Sequence, residues 1–163
     1  MSAKIVEGDL LNYDAKYIVH QTNSTSANAS GIARSIFDKF PYSNIYTERL
    51  QTKHIDTPGT IIVRGNGKNQ RYVINLMGQF FPGKPSDGIY DSDNYAHRKE
   101  YFFQGLKAIS KIENLESVAF PFFIGCGLGG GNWEDYLKLI DKFADYIKQT
   151  QNAETTIVKL VNI

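Results

Sequence analysis

A run of glycines in the last third of the sequence is the segment best suited to chemistry. Residues 121–133 hold five of the fourteen glycines and lie between a predicted strand and a predicted helix. Glycine tolerates positive φ and has no Cβ to keep a ligand from the backbone. Main-chain N–H groups can then converge on an anion near a helix N-terminus, with Asn132 as N-cap. The segment predicts an anion-binding loop; a tight turn needed only for packing is the alternative.

Three familiar glycine or cysteine motifs do not fit this segment. Gly125, Gly127 and Gly130 match G-x-G-x-x-G, but the dinucleotide-binding motif follows the first strand of its unit, whereas this one precedes the last helix. No Lys-Ser or Lys-Thr follows the glycines, which excludes a Walker A loop. A cysteine phosphatase would need an arginine after Cys126, where Asn132 and Trp133 stand. We therefore interpret Cys126 as a small buried side chain rather than a nucleophile.

Polar side chains also stand where two earlier predicted strands end. Asp9 follows the first strand, and its carboxylate can accept a hydrogen bond from an amino group. His20 ends the second strand, with an imidazole suited to proton transfer near neutral pH, and Asn23 follows with an amide that donates and accepts. Each has a plainer alternative role: a turn or cap for Asp9, a buried strand-end histidine, and a side chain that orders the loop.

The elements that must position these residues alternate along the chain. Gly65-Asn66-Gly67 separates the third and fourth predicted strands, which indicates an antiparallel pair. Strands alternating with helices predict a single layered α/β domain over residues 1–163, and such sheets bind ligands beyond the carboxyl ends of their strands. Residues 21–30 and 80–94 are predicted loops. The predicted strands are residues 5–6, 17–20, 60–63, 72–76, 118–120 and 156–160, and the predicted helices are 31–40, 44–53, 95–112 and 133–148. In the third helix, Phe102, Phe103, Leu106 and Ile109 are expected to face the core.

Composition and charge narrow the classes of function. The formal net charge is +1 without a basic block, so we expect no nucleic-acid partner. One cysteine excludes an intrachain disulfide, and three histidines offer no metal cluster. No apolar run is long enough for a membrane span and no signal peptide is evident, so we expect a monomeric cytoplasmic or nuclear protein without a cofactor.

Taken in order, the motifs resemble those of a macro domain. The match rests on Gly8-Asp9-Leu10-Leu11 after the first strand, on residues 17–23, on Gly31-Ile32-Ala33 with Ile36, and on Ile124-Gly125-Cys126-Gly127-Leu128 with Trp133. The last motif resembles the branch that contains terminal ADP-ribose glycohydrolases and ADP-ribose 1''-phosphate phosphatases. Each motif alone is weak, and their ordered combination is specific.

The resemblance implies a three-layer α/β/α fold with a mixed sheet of about six strands and ADP-ribose in a cleft at its edge. It implies that Asp9, beside Leu10, accepts a hydrogen bond from the adenine amino group and that Asn23 lies by the distal ribose. Asn23 and His20 are the candidate catalytic residues. The diphosphate would be enclosed by the two glycine segments, which comprise Gly31, Ile32, Gly125, Cys126, Gly127, Leu128, Gly129 and Gly130.

The sequence also departs from the family's pattern. His20-Gln21-Thr22-Asn23 replaces the Asn-Ala-Ala-Asn of many macro hydrolases, and the first loop has a single Gly31. The branch with a lysine nucleophile has an Asp where this chain has Gly129, and its lysine is absent from Met77-Gly78-Gln79. We therefore do not expect a covalent lysine mechanism.

We expect hydrolysis of an ADP-ribose 1''-phosphate or an ADP-ribosyl ester by direct attack of water. The rivals are a reader or sequestering module that binds ADP-ribose or a cyclic derivative without turnover, and an α/β protein that binds no nucleotide. Asp87, Asp91 and Asp93, on the long loop, are either a cover for the distal ribose or a solvated surface.

Overall fold

The computed structural model describes residues 3–88 and 91–160. Its centre is a mixed sheet of six strands. The strand order is β1-β6-β5-β2-β4-β3, and every neighbouring pair is parallel except β3 and β4. The predicted antiparallel pair and the mixed sheet are thereby confirmed. The strands are β1 (Lys4–Glu7), β2 (Tyr17–Asn23), β3 (Ile61–Arg64), β4 (Tyr72–Gln79), β5 (Ser117–Pro121) and β6 (Glu154–Lys159).

Helices cover both faces of the sheet because the buried strands are apolar on both sides. In β2, Val19 packs into the core beneath one helix pair, while its neighbour Ile18 packs into the core beneath the other. The first pair is α3 (Tyr95–Ser110) with α4 (Trp133–Gln151), and the second is α1 (Gly31–Lys39) with α2 (Ile45–Thr52). The three-layer α/β/α architecture is confirmed.

Two predicted details are wrong. Gln21, Thr22 and Asn23 were expected to open a loop, but they continue β2 because β4 offers partners as far as Gln79. Phe103 was expected in the core of α3, yet 40% of it is exposed, with the ammonium of Lys107 5.6 Å from its ring centroid. Residues 80–94 form the expected irregular loop, of which 89 and 90 lie outside the described residues.

The topology creates a crevice at one edge of the sheet. Five of the strands are parallel, so their carboxyl ends meet at one edge, which we call the carboxyl edge. β2 and β5 are neighbours there, but α1 follows β2 onto one face and α4 follows β5 onto the other. Diverging connections of this kind leave a ligand-binding gap between adjacent strands. No helix in the described part of the chain is long and apolar enough to cross a bilayer.

Candidate functional site

A cleft of about 540 Å³ opens at the carboxyl edge between the ends of β2 and β5. One wall is the start of α1, including Gly31 and Ile32, and the other is the glycine loop, residues 122–132. The two walls approach each other closely, because a Cβ added to Gly31 would lie 3.5 Å from Cδ1 of Leu128. Of the residues predicted to bind ligand, the cleft brings together Asn23, Gly31, Ile32, Gly125, Gly127, Leu128 and Gly129.

The glycine loop presents main-chain N–H groups that have no partner within the described residues. Internal bonds from Gly130 N to Gly127 O (3.2 Å) and from Gly131 N to Gly125 O (2.9 Å) fix its path. Gly125 has φ +75°, where L-side chains are strained. No described residue accepts a hydrogen bond from the amides of Gly125, Gly127, Leu128 or Gly129. Such free amides can bind an anion.

The N-terminus of α1 adds to this attraction, whereas that of α4 does not. Ser30 occupies the N-cap of α1 without a side-chain cap bond, so the first-turn N–H groups stay available. At α4, Asn132 accepts from Asp135 N at 3.2 Å, and acidic residues occupy the first turn. The cap role predicted for Asn132 is confirmed, and the anion is attracted by α1 and the loop rather than by α4.

Asn23 is held with its amide nitrogen free. Its Oδ1 accepts hydrogen bonds from Thr25 N (3.1 Å) and Ser26 N (2.8 Å), so the side chain orders the loop as its plainer role required. The Nδ2 group donates to no described residue, and Asn23 lines the cleft. Both proposed roles are therefore compatible: the oxygen holds the loop while the nitrogen is left for a ligand or a water.

Two phenylalanines follow β5 and form the aromatic side of the cleft. Phe123 has φ +70°, a conformation that costs a bulky residue on the order of 1–3 kcal/mol and is often found at functional sites. Its ring is 47% exposed and stacks on Phe122, with ring centroids 6.0 Å apart. Phe122 in turn packs on Trp133 and carries the ammonium of Lys159 4.9 Å from its ring centroid. The structure thus keeps a flat apolar surface at the cleft.

Comparison with known proteins decides the family. A family model for the macro domain matches residues 19–140, well over half of the 163 residues. The chain belongs to the macro domain family. It is 25% identical to an uncharacterised protein of Sulfurisphaera tokodaii over 98% of this chain and 84% of that one.

Solved macro domain structures share the fold. The macrodomain of Mycobacterium tuberculosis DarG matches with a TM-score of 0.69 and 22% identity, over 96% of this chain and 97% of that one. Thermosipho africanus DarTG, solved in complex with ADP-ribose, matches with a TM-score of 0.70 and 18% identity over 95% of this chain and 40% of that one.

Several predicted site residues of this macro domain do not line the cleft. Asp9 caps a short 3-10 turn, where its Oδ1 accepts from Leu11 N at 3.0 Å, and Leu10 is buried beside it. Asp9 nevertheless lies at the carboxyl edge, because Gly8 N donates to Lys159 O at the end of β6. Since β6 separates β1 from β5, Asp9 lies two strand spacings, about 10 Å, from the end of β5. The two remaining ligand-binding candidates that do not line the cleft are Cys126 and Gly130.

Cys126 and His20 are both in unreactive surroundings. Burial raises the pKa of the Cys126 thiol to about 12, which agrees with the inert role inferred for it. His20 is fully buried within β2, where its Nε2 lies 2.7 Å from Asn75 Oδ1 and its ring packs edge-on against Phe37. Burial lowers the pKa of His20 to about 4. The structure therefore does not bring His20 to the cleft, and its expected place beside the pocket loops is corrected.

Two Arg–Asp pairs with buried arginines, which sequence reasoning missed, hold the walls of the cleft. Arg98 binds both oxygens of Asp93, at 2.7 and 3.2 Å, and also donates to Gly83 O (2.6 Å) and Gly129 O (3.1 Å). It therefore joins α3 to the glycine loop and to the loop that follows β4. Burial alone would raise the pKa of Asp93, but hydrogen bonds from Arg98 and from two backbone amides hold that pKa below its ordinary value. Asp93 was predicted to be either a solvated loop residue or part of a cover for the distal ribose. In the structure it is buried and holds Arg98.

Arg49 fixes the opposite wall of the cleft, which the segment after β2 forms. It binds Asp56 Oδ2 at 2.7 Å and donates to Asn23 O (2.8 Å) and Ser26 O (2.7 Å). For Arg98, the sequence did contain a signal of burial: a charged residue on the apolar face of a helix, four residues before the buried Phe102.

Two glutamines form the floor under the glycine loop. Gln21 Nε2 donates to Gln79 Oε1 at 2.8 Å, and Gln79 Nε2 donates to Phe81 O at 2.8 Å. A Cβ on Gly129 would lie only 2.9 Å from Gln79 Oε1, so the loop can rest on this pair only without side chains. The same Cβ would lie 2.7 Å from the backbone oxygen of Gly125, so the fold of the loop itself, together with the glutamines, explains why a glycine is needed at 129.

The described lining of the cleft contains no Asp, Glu, His, Lys, Arg or Cys. In the described part of the chain, no three His, Cys, Asp or Glu side chains gather closely enough to hold a metal ion. The described lining therefore attracts an anion through backbone dipoles, which supply no general acid or base near neutral pH.

Replacing Arg98 with Met should lower the free energy of unfolding by about 3–5 kcal/mol, because Asp93 is left buried without its cation. Arg98→Lys should cost less, since it keeps the charge but loses the forked bonds. Urea denaturation measures both. Equal stability of Arg98→Met and the parent would contradict the holding role.

Stability should also depend on pH through His20. Its folded pKa of about 4 lies below the ordinary 6.5, so between these values only the unfolded chain takes up the proton. The free energy of unfolding should therefore fall, by up to about 3 kcal/mol, as pH drops from 6.5 to about 4. Urea titrations at several pH values measure this. His20→Gln should flatten this window, and an unchanged slope in that variant would rule the histidine out.

Proposed function

We propose that the cleft binds ADP-ribose, either free or attached to a target molecule. The observation that carries this proposal is the set of unpartnered amides at Gly125 and Gly127–Gly129, facing the uncapped start of α1 in a cleft without carboxylates. A diphosphate is an anion that such amides can bind from two sides. The ADP-ribose in the Thermosipho africanus relative supports this choice of diphosphate.

The proposed ligand lies with its adenine toward Asp9 and its distal ribose toward Asn23. Asp9 is exposed at the carboxyl edge, and its carboxylate oxygens can accept a further hydrogen bond beside those from Leu11 and Asn12. Phe122 supplies an apolar surface of the cleft on the Asp9 side, since Lys159 contacts its ring and accepts a hydrogen bond from the backbone of Gly8, which precedes Asp9. The free Nδ2 of Asn23, across the cleft, suits a ribose hydroxyl or a water.

We further propose that the chain hydrolyses an ADP-ribose derivative, a 1''-phosphate or an ADP-ribosyl ester, by direct attack of water. Asn23 is the one predicted catalytic residue that lines the cleft, and it would orient that water. The ligand's own phosphate oxygens, rather than a side chain, would have to accept the proton. Free loop amides would stabilise the charge that develops.

One observation favours a second candidate function, a reader that binds ADP-ribose or a cyclic derivative without turnover. Tyr46 is the one titratable side chain in the described lining of the cleft, and burial raises its pKa above the ordinary 10, so the lining offers no general acid or base near neutral pH. A binding site needs neither group, whereas a hydrolase without them must rely on orientation and electrostatics alone.

Calorimetric titration with ADP-ribose tests binding, with Asp9→Asn as the decisive variant. Asparagine can still cap the 3-10 turn through its oxygen, but it replaces one acceptor with a donor opposite the adenine amino group. We expect affinity for ADP-ribose to weaken by about 1–3 kcal/mol, while affinity for ribose 5-phosphate stays unchanged. The exposed Asp14→Asn is the matched control and should bind like the parent.

Gly127 tests the other half of the ligand. A Cβ there meets no atom within 4 Å, so Gly127→Val should fold normally and fill the anion site with its branched side chain. Gly127→Ala should show a smaller loss. If Asp9→Asn and Gly127→Val both bind ADP-ribose like the parent protein, the nucleotide does not occupy this cleft.

Turnover separates the hydrolase from the reader. The parent protein is incubated with ADP-ribose 1''-phosphate and with a mono-ADP-ribosylated protein, and released phosphate or ADP-ribose is measured. Asn23→Asp keeps an oxygen for the amides of Thr25 and Ser26 but removes the Nδ2 donor, and it should lower the rate by about 10²-fold, as expected for loss of an orienting donor. Tight binding of ADP-ribose with no release from either substrate would leave the reader as the function.

A further inference from the structure

A second cavity, of about 530 Å³, lies at the opposite edge of the sheet from the cleft. It sits between the residue preceding β2, the end of α1 and the turn that joins β3 to β4. We call it the basic pocket, because four cationic side chains line it: Lys16, Lys39, Lys68 and Arg71. No carboxylate is among its described lining residues. The proposed function makes no use of this pocket.

Most of the positive charge in the basic pocket is not neutralised by the protein. Lys16 pairs with Glu116 at 2.8 Å. Among the described residues, Lys39, Lys68 and Arg71 have no carboxylate within 4.0 Å, whereas Arg34, Arg49, Arg64 and Arg98 each have one. Three cations around one cavity repel each other, and a multiply charged anion between them would relieve that repulsion.

Arg71 is held in a fixed position in the basic pocket by hydrogen bonds to the backbone. Its Nη1 donates to Leu11 O at 3.2 Å, and its Nη2 donates to Ala15 O at 2.9 Å and to Tyr13 O. These neutral carbonyls fix the guanidinium without cancelling its charge. Burial lowers the pKa of Arg71, and the carboxylate of Asp14, which is near but forms no ion pair with it, acts against that shift. Arginine has five N–H donors, so two remain without a partner in the described chain. A positioned guanidinium with spare donors is suited to phosphate oxygens.

The lysines leave further donors for the same anion. Lys39 gives one hydrogen bond, to Asn12 Oδ1 at 2.9 Å, and Lys68 gives none to the described residues. An ammonium has three donors, so both side chains can contact a phosphate while staying in solvent. Both are exposed, and neither is needed for the fold.

We propose that the basic pocket is a second anion site, which binds a phosphate group carrying two or more charges, such as pyrophosphate or the phosphates of a nucleotide. Three cations without an ion-pair partner among the described residues favour a phosphate over a singly charged carboxylate. The site is independent of the cleft, because β2 has seven residues and separates the two by about 20 Å. One small ligand cannot fill both.

Residue-resolved NMR with inorganic pyrophosphate tests the proposal at about 0.15 M salt, which screens unspecific attraction. We expect saturable shifts in the amides of residues 15–16, 39–40, 42 and 67–72, with one equivalent bound. Shifts at residues 125–131 report the cleft separately, so failure at one site is distinguishable from failure at the other. No saturable shift around the basic pocket up to about 10 mM pyrophosphate would overturn the proposal.

The double variant Lys39→Met/Lys68→Met should weaken binding at the basic pocket by about tenfold or more, with an unchanged melting temperature. The matched control is Lys138→Met/Lys142→Met, which removes the same charge from the exposed side of α4 and should bind like the parent. Equal loss in both double variants would show unspecific attraction and refute the site.

A final comparison identifies the source of the phosphate. AMP and pyrophosphate should bind the basic pocket with affinities of the same order, since the site recognises the phosphate. A short single-stranded oligonucleotide that binds about a hundredfold tighter than either would replace the small-anion proposal with a nucleic-acid surface.

Discussion

Two buried guanidinium groups determine the shape of the cleft. A loop made largely of glycine has few side chains with which to hold itself, so its position must be imposed from outside. Arg98 does this by binding Gly129 O together with Asp93, and Arg49 does it for the opposite wall through Asn23 O and Asp56. One pair lies on each face of the sheet. The backbone amides can therefore stay free for a ligand while the carbonyls that follow them are fixed.

Most of the fold could be predicted because its elements repeat their patterns locally. The apolar stripe of α4 and the β-branched run at the start of β2 each identify an element without knowledge of its neighbours. The errors occur where the structure of a segment depends on the elements that pack against it. Gln21–Asn23 is polar and reads as a loop, yet it pairs with β4. Phe103 reads as core, yet it lies beside the stripe that packs on the sheet.

The site was predictable as far as it consists of backbone. Glycines in a strand-to-helix connection indicate free amides, and the cleft does contain Gly31, Gly125 and Gly127–Gly129. Side chains that act across long sequence separations were not predictable. Arg98 contacts Gly129, and Gln21 contacts Gln79, only after folding. No residue spacing in the sequence predicts either contact. His20 was misplaced because alternation alone does not tell which face of a strand is covered.

The described cleft lining has no side chain that titrates near neutral pH, and this has a consequence for where such a receptor can operate. A peptide N–H keeps its proton throughout the biological range, so the attraction it exerts does not vary with acidity. A diphosphate also stays ionised across that range. Recognition built on this lining would consequently be indifferent to the acidity of its surroundings, unlike a pocket that depends on histidine or lysine. It would remain sensitive to temperature and to whatever loosens the loops.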